Sequence, residues 1–167
     1  MIKIAAALLV VACFVAAPGK ASAQLLPQGN VYLGGSIGSM DTLSNGRTFM
    51  RGWDGGAEWI VLPHIGIAVD ASGYYRSGVT DYNFLAGPRL SATFGKARPF
   101  AQILAGIGRV NENGVTATPL AVGVGGGVDY KIFHSFSWRF QGDYIHTHYL
   151  NAVQHDFRVS TGLVFRF

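Results

Sequence analysis

The sequence predicts an all-β protein, an eight-stranded antiparallel up-and-down transmembrane β-barrel. Three observations lead to this fold class. Segments of about ten residues alternate between apolar and polar side chains, as the strands of membrane barrels do. Only 13% of the residues are charged, about half the share of an ordinary soluble domain. The sequence also finishes on an alternating segment, FRVSTGLVFRF, whose last residue is Phe167.

The first 23 residues predict a secretory signal peptide, which leaves residues 24–167 as the barrel domain. Lys3 precedes an apolar run, and Ala21-Ser22-Ala23 supplies the small-residue cleavage pattern. The run is shorter than the roughly 20 residues of a spanning helix. Cys13 lies within it in the stretch LVVAC. Because that stretch loosely resembles a lipoprotein signal, lipidation of Cys13 stays open as an alternative.

The charge balance gives little support to a nucleic-acid partner. The formal net charge is +4, but Lys3 and Lys20 both lie in the predicted signal peptide. After residue 23, no segment approaches 18 uninterrupted apolar residues, which argues against a transmembrane helix. The remaining way for such a chain to cross lipid is a closed β-barrel.

The alternation places eight strands along the chain. It is clear in the second, third, fourth, sixth and seventh strands, whereas the fifth is almost wholly apolar and only Gln102 is assigned inward there. Short turns at 62–64, 95–97 and 131–135 lie at one end, and connections near 39–50, 77–80, 110–115 and 149–155 lie at the other. The predicted strands are 30–38, 51–61, 65–76, 81–94, 98–109, 116–130, 136–148 and 156–167.

The outward aromatic residues sort into two bands. Such girdles are typical where amphipathic rings sit at the two membrane–water interfaces. One band, near the end that holds both termini, contains Trp59, Phe94, Tyr130, Phe136, Phe165 and Phe167. The other contains Trp53, Tyr75, Phe84, Tyr144 and Phe157, and Trp138 is assigned to the girdles as well.

The opposite faces of the strands predict a charged interior. An eight-stranded barrel is just wide enough for side chains to fill, and unpaired charges there are costly, so ion pairs and hydrogen bonds are expected in place of an open pore. Inward glycines such as those of GVGGG (123–127) make room for large side chains. The predicted inward charges are Asp54, Glu58, Asp70, Asp129 and Asp143, with Arg89, Arg139, Arg158 and Arg166.

With these features, the sequence resembles the outer-membrane β-barrel superfamily, typified by the OmpA membrane domain and the small opacity-type barrels. The most specific motif is the terminal segment 157–167; RPFAQILAGIGR and FQGDYIHT are also similar. The resemblance implies an exported, monomeric protein of the Gram-negative outer membrane, surrounded by lipid and lipopolysaccharide, with the short turns on the periplasmic side. It further implies that Leu163, Phe165 and Phe167 form a signal that the barrel-assembly machinery reads.

Three histidines near the second aromatic band are weak candidates for a metal site. If the last hairpin pairs His148 with His155, His146 lies on the same outward face. Three imidazoles could bind zinc or, when protonated, meet lipopolysaccharide phosphates. The favoured interpretation is amphipathic side chains at an interface. We therefore predict no catalytic residue, no cofactor and no enzymatic activity.

The expected function is a structural or surface-interaction role, through membrane integrity, contact with lipopolysaccharide or display of loops. Two alternatives stay open. One is a narrow porin-like channel for small solutes. The other is a soluble exported lipocalin-like barrel that binds a small apolar ligand, because alternation alone does not tell which face points inward.

Overall fold

The computed structural model describes residues 28–42, 46–76, 79–112, 115–148 and 153–167. The predicted signal peptide and Cys13 lie outside these residues. No helix in the described ranges is long and apolar enough to cross a membrane. The strands are β1 (Gly29–Thr42), β2 (Gly46–Leu62), β3 (Ile65–Arg76), β4 (Val79–Ser91), β5 (Ala97–Glu112), β6 (Val115–Ala117), β7 (Leu120–Lys131), β8 (Phe136–His148) and β9 (Val153–Arg166).

The short strand β6 and the longer β7 together form the predicted sixth strand. Both pair with β5 in one continuous register, since Val110 faces Ala117 and Ile107 faces Leu120. Pro119 lies in the gap and has no N–H to donate to the ladder. Its carbonyl still accepts a hydrogen bond of 2.9 Å from the Gly108 N–H. The wall therefore continues through the interruption.

The strands close into a barrel in which every pairing is antiparallel. With β6 and β7 taken as one strand, neighbours in sequence pair with one another, and this includes β4 with β5. The ring closes where β1 pairs with β9, from Asn30 opposite Arg166 to Ser39 opposite Phe157. Counting β6 with β7, eight strands make the wall, so the predicted up-and-down barrel is confirmed. Closure leaves none of these eight described strands as a free sheet edge.

The barrel has two ends, which we call the terminus end and the loop end. At the terminus end, Gly29 and Phe167 exchange backbone hydrogen bonds of 3.2 and 3.1 Å. The turns there use left-handed backbone at His64 (φ 74°) and Gly95 (φ 59°). At the loop end, β1 continues to Thr42 and β2 begins at Gly46. The connection predicted near 39–50 is therefore shorter than expected, because both arms of this segment stay paired up to Thr42 and Gly46.

The two faces of the wall differ in polarity. Residues of β3 alternate between exposed and buried positions, with Ile67 and Val69 outside and Ala68 and Asp70 inside. Apolar side chains on the outer face are broadly exposed; Leu33 is 62% exposed. Inside, a compact apolar group on the neighbouring strands β3, β4, β5, β7 and β8 fills part of the space. It comprises Ala68, Leu85, Leu104, Ala121 and Ile145.

Candidate functional site

Four arginines and two carboxylates occupy the interior near the terminus end. We call them the base-rich cluster: Arg89, Arg98, Arg139, Arg166, Glu58 and Asp129. Glu58 accepts hydrogen bonds from Arg98 Nη2 at 2.9 Å and from Arg89 Nη1 at 3.4 Å. Arg98 Nη1 donates a third at 3.4 Å, and Asn30 Nδ2 donates a fourth at 2.7 Å. One buried carboxylate thus serves two guanidinium groups.

Asp129 has the same arrangement on the other side of the base-rich cluster. Arg139 binds it through Nε at 2.7 Å and Nη2 at 3.0 Å, a fork that favours a bidentate ion pair. Arg166 Nη2 lies 3.3 Å from Asp129 Oδ2. Two guanidiniums contact the Phe100 ring, with Cζ-to-centroid distances of 4.5 Å for Arg89 and 4.6 Å for Arg139. These cation–π contacts stabilise positive charge in the interior.

Towards the loop end, carboxyl groups outnumber arginines in the interior. Arg158 forms an ion pair with Asp70 through Nη2 at 2.8 Å, without the geometry of a hydrogen bond, and it donates a hydrogen bond from Nε to Asp143 at 2.8 Å. Its Nη1 lies 3.9 Å from Asp54 Oδ1. We call these four residues the acid-rich cluster. Ser72 Oγ accepts a hydrogen bond of 3.0 Å from Arg158 Nη1. All four members are buried. One guanidinium is therefore the only cation that faces three buried carboxyl groups in this cluster.

Asp54 is the least satisfied member of the acid-rich cluster. Its side chain is 0% exposed, and neither carboxylate oxygen has a hydrogen-bond partner among the described protein atoms. At 3.9 Å its ion pair with Arg158 is the longest in the barrel among the described residues. A buried carboxylate without hydrogen bonds is costly. The position therefore opposes stability more than it supports it.

Gln102 joins the two clusters. Its Oε1 accepts a hydrogen bond of 2.9 Å from Arg89 Nε, and its Nε2 donates one of 2.7 Å to Asp143 Oδ1. Gln141 Nε2 donates to the other oxygen of Asp143 at 2.8 Å. A Cβ on Gly125 would overlap Asp143 Oδ1 and lie 2.7 Å from the Gly142 carbonyl oxygen. The missing side chain of Gly125 therefore leaves space for the acid-rich cluster.

The structure places all nine charges predicted for the interior on its inner face, with Arg166 partly exposed at 27%. The sequence analysis missed Arg98. It brings the bases to five, equal to the five predicted acids. The signal was present, because alternation from the inward Gln102 also turns Phe100 and Arg98 inward. Asp81 and Asp156 add two buried carboxyl groups at the loop end.

Aromatic side chains cluster on the outer face at both ends. At the terminus end, Phe165 packs on Phe136 and Phe167, with centroid distances of 5.3 and 6.4 Å. At the loop end, Trp53 Nε1 donates to Tyr75 Oη at 3.2 Å, and Tyr75 Oη donates to Tyr82 Oη at 3.2 Å. Exposed aliphatic residues lie between the bands. The other exposed aromatics include Trp59, Phe84, Phe94, Tyr130, Trp138, Tyr144 and Phe157.

Solved structures with this arrangement include small outer-membrane β-barrels. Neisserial surface protein A shares a TM-score of 0.71 and 16% identity, covering 83% of this chain and 97% of its own. The chain has the fold of the small outer-membrane β-barrels. Ail of Yersinia pestis (TM-score 0.56, 12% identity, 84% and 100% covered) and the N-terminal barrel of Pseudomonas aeruginosa OprF (0.55, 13%, 83% and 97%) share this fold. No protein-family model and no curated protein matches the sequence.

In this outer-membrane-type barrel, the histidines pair differently from the prediction. His146 faces His155, and His148 faces Val153; the predicted pairing of His148 with His155 was wrong by two residues. The rings of His146 and His155 lie 4.9 Å apart, and Tyr144 Oη hydrogen-bonds His155 Nδ1. The side chain of His148 lies outside the described residues. Among the described side chains, no group of three His, Cys, Asp or Glu could hold a metal ion.

The polarity of the inner face can be compared with what the lipocalin-like alternative requires. A soluble barrel of that kind would turn its apolar face inward around an apolar ligand. Here the inner face carries both charged clusters, and its apolar group is compact. At the loop end, Met50 and Tyr74 pack together inside the barrel, and Tyr74 Oη lies 2.6 Å from Ser36 Oγ. The geometry of the described residues therefore favours a filled interior.

Proposed function

We propose that the chain is an integral protein of the bacterial outer membrane with a structural or surface-interaction role. One observation carries the proposal: apolar side chains cover the outer wall between two aromatic bands, while ion pairs occupy the interior. Lipid is the solvent that suits such a wall. The fold shared with outer-membrane proteins of three bacterial genera supports it.

In this proposal the terminus end faces the periplasm and the loop end faces outward, as in bacterial barrels with short periplasmic turns. Arg51, Arg76 and Arg109 are exposed at the loop end, whereas Asp81 and Asp156 are buried inside it. The described rim is thus cationic on its outer side. Guanidinium groups bind phosphates well, which supports contact with lipopolysaccharide.

The proposal assigns the interior a structural role. Seven ion pairs and the side chain of Gln102 link the described strands on the inner face of the barrel. Opening a path would separate buried charges at a high energetic cost. We expect no reproducible conductance from the purified protein in planar lipid bilayers. A steady nanosiemens channel would favour the porin-like alternative instead.

A substitution on the wall tests membrane residence directly. Ile103 is 57% exposed at mid-strand, and Val61 is 60% exposed at the terminus end of β2. In lipid, Ile103→Arg should cost about 2–4 kcal/mol, whereas Val61→Arg should cost about 0–1 kcal/mol because it lies near the interface. In water both substitutions would be tolerated equally.

The measurement is heat-modifiable mobility on SDS gels, made on outer-membrane fractions and on protein refolded in detergent and lipid. The unheated wild type and Val61→Arg should migrate differently from the boiled samples, and Ile103→Arg should lose most of the folded band in lipid. A protein recovered in the soluble periplasmic fraction without any shift would refute the proposal. Equal behaviour of the two variants would also count against a lipid-facing wall.

A further inference from the structure

We propose that the terminus end of the interior contains a binding site for a phosphate-like oxyanion, held by Arg98 and Arg166. A cavity of about 350 Å³ opens there, and both arginines line it together with Gln28 and Thr93. Among its lining residues there are two guanidiniums and no carboxylate side chain. This site goes beyond the proposed function, since it requires only the barrel and not a particular role in the membrane.

The cavity lies at the positive end of an unevenly charged interior. In the base-rich cluster four guanidiniums share two carboxylates, so two positive charges lack a partner of their own. The three carboxyl groups around Arg158 lie further along the barrel. An anion entering from the terminus end would be attracted by the first cluster and repelled by the second. The cavity is therefore suited to hold an anion and not to pass it.

Arg166 provides a donor that nothing in the described protein uses. Its Nη2 reaches Asp129 at 3.3 Å, but its Nε is buried and has no hydrogen-bond partner. Arg98, by contrast, already donates from Nη2 to Glu58 Oε1 and Ser91 Oγ at 2.9 and 2.6 Å. An unmet buried N–H is destabilising. An oxyanion in the cavity would supply the missing acceptor.

No described residue provides that acceptor. Residues 24–27, which precede the cavity residue Gln28, are QLLP and contain no acidic side chain. Phe167 also lines the cavity, and the described ion pairs join Arg98 and Arg166 only to Glu58 and Asp129. Thr93 and Gln28 are further polar residues of the lining. A small ligand with several acceptor oxygens, a phosphate group, matches two guanidiniums with polar neighbours.

The test follows the Nε–Hε resonance of Arg166 in isotope-labelled barrel, folded in a nonionic detergent, while inorganic phosphate is added. We expect a saturable shift of this resonance and a matching heat of binding in calorimetry. Arg166→Gln should weaken binding about tenfold or more, as for a lost charged hydrogen bond. Arg166→Lys should weaken it less, because the charge remains.

Arg51→Gln is the matched control, since it removes an exposed arginine at the loop end and should leave phosphate binding unchanged. Thr93→Glu is a second variant that places a carboxylate in the lining; it should abolish binding even if Arg166→Gln folds poorly. Folding of each variant is checked by heat-modifiable mobility.

A second arm replaces free phosphate with phosphatidylglycerol in the micelle. A shift at Arg166 with the lipid alone would identify a headgroup as the source of the same oxyanion, and a shift with inorganic phosphate would identify a soluble ligand. The absence of a shift with both would overturn the proposal. So would phosphate binding that Thr93→Glu leaves intact, or a loss in Arg51→Gln equal to that in Arg166→Gln.

Discussion

The two halves of the interior use the same chemical groups in opposite proportions. In the base-rich cluster each of Glu58 and Asp129 is shared by two arginines. In the acid-rich cluster, Arg158 alone is shared by three carboxyl groups. A near balance of charge along the sequence therefore conceals two local imbalances of opposite sign. Loss of one residue should thus have an effect that depends on the half in which it lies.

The largest expected effect is the loss of Arg158, the single base of the acid-rich cluster. Arg158→Gln leaves Asp54, Asp70 and Asp143 buried without a cation. We expect a loss of about 3–5 kcal/mol in the free energy of unfolding, because breaking a buried pair leaves uncompensated charge. Urea titration of the barrel in lipid vesicles, followed by tryptophan fluorescence, measures it.

The control for this prediction adds a second change. In Arg158→Gln with Asp70→Asn, one of the uncompensated carboxylates is removed, so part of the lost stability should return. If the double variant is less stable than Arg158→Gln alone, charge imbalance is not what destabilises the acid-rich cluster.

The second largest expected effect is the loss of stability when Asp129, which Arg139 and Arg166 share, is replaced. Asp129→Asn removes the only acid that pairs with these two arginines among the described residues. It increases the positive excess of the base-rich cluster, so we expect a loss of about 3 kcal/mol. The same urea titration measures it. High salt should reduce this loss of stability, because Arg166 is partly exposed and its charge is screened. A loss below about 1 kcal/mol would contradict the assignment of Asp129 as the shared partner of Arg139 and Arg166.

A smaller effect is expected at the glycine beside Asp143. Gly125→Ala would force the Asp143 carboxylate away, because the added methyl group would overlap it. Overpacking of this kind costs about 1–3 kcal/mol. Gly35→Ala is the matched control in β1, since a Cβ there meets nothing within 4 Å, and it should change stability by less than about 0.5 kcal/mol. Equal effects in urea titrations would disprove the steric argument.

The smallest expected effect differs in sign from the others, because Asp54→Asn should not lower the free energy of unfolding. Asp54→Asn removes a carboxylate that has no hydrogen bond and lies 3.9 Å from Arg158. We expect no loss, or a gain of up to about 1 kcal/mol, since one repelling charge leaves the acid-rich cluster. Asp54→Asn and Asp129→Asn are the same chemical change in the two halves. A similar loss in both would show that local charge excess does not govern stability.

Much of this fold could be predicted from residue alternation. Alternation assigns each side chain to the inner or the outer face, and it placed Asp54, Glu58 and Arg158 inside and Phe165 outside. It could not fix the register of the last hairpin. A shift of two residues keeps every side chain on its own face. Alternation alone therefore could not predict that His155 pairs with His146 and not with His148.

The division into two charged clusters could not be predicted from the sequence. Which carboxylate meets which arginine depends on the height at which strands pair, and partners such as Arg98 and Glu58 are 40 residues apart. Arg98 was also missed because its strand is almost wholly apolar from Phe100 to Gly106 except at Gln102. Composition thus bounds the number of interior charges, whereas register determines their neighbours.

The pairing of β1 with β9 has a consequence for the order in which the molecule is completed. The seam from Asn30 opposite Arg166 to Ser39 opposite Phe157 joins the first and last strands of the barrel. Contacts so distant in sequence form slowly, because a long loop must close first. A chain still lacking β9 would be an open sheet with two unpaired edges, prone to pairing with other chains. Formation of the seam therefore separates finished molecules from aggregation-prone intermediates.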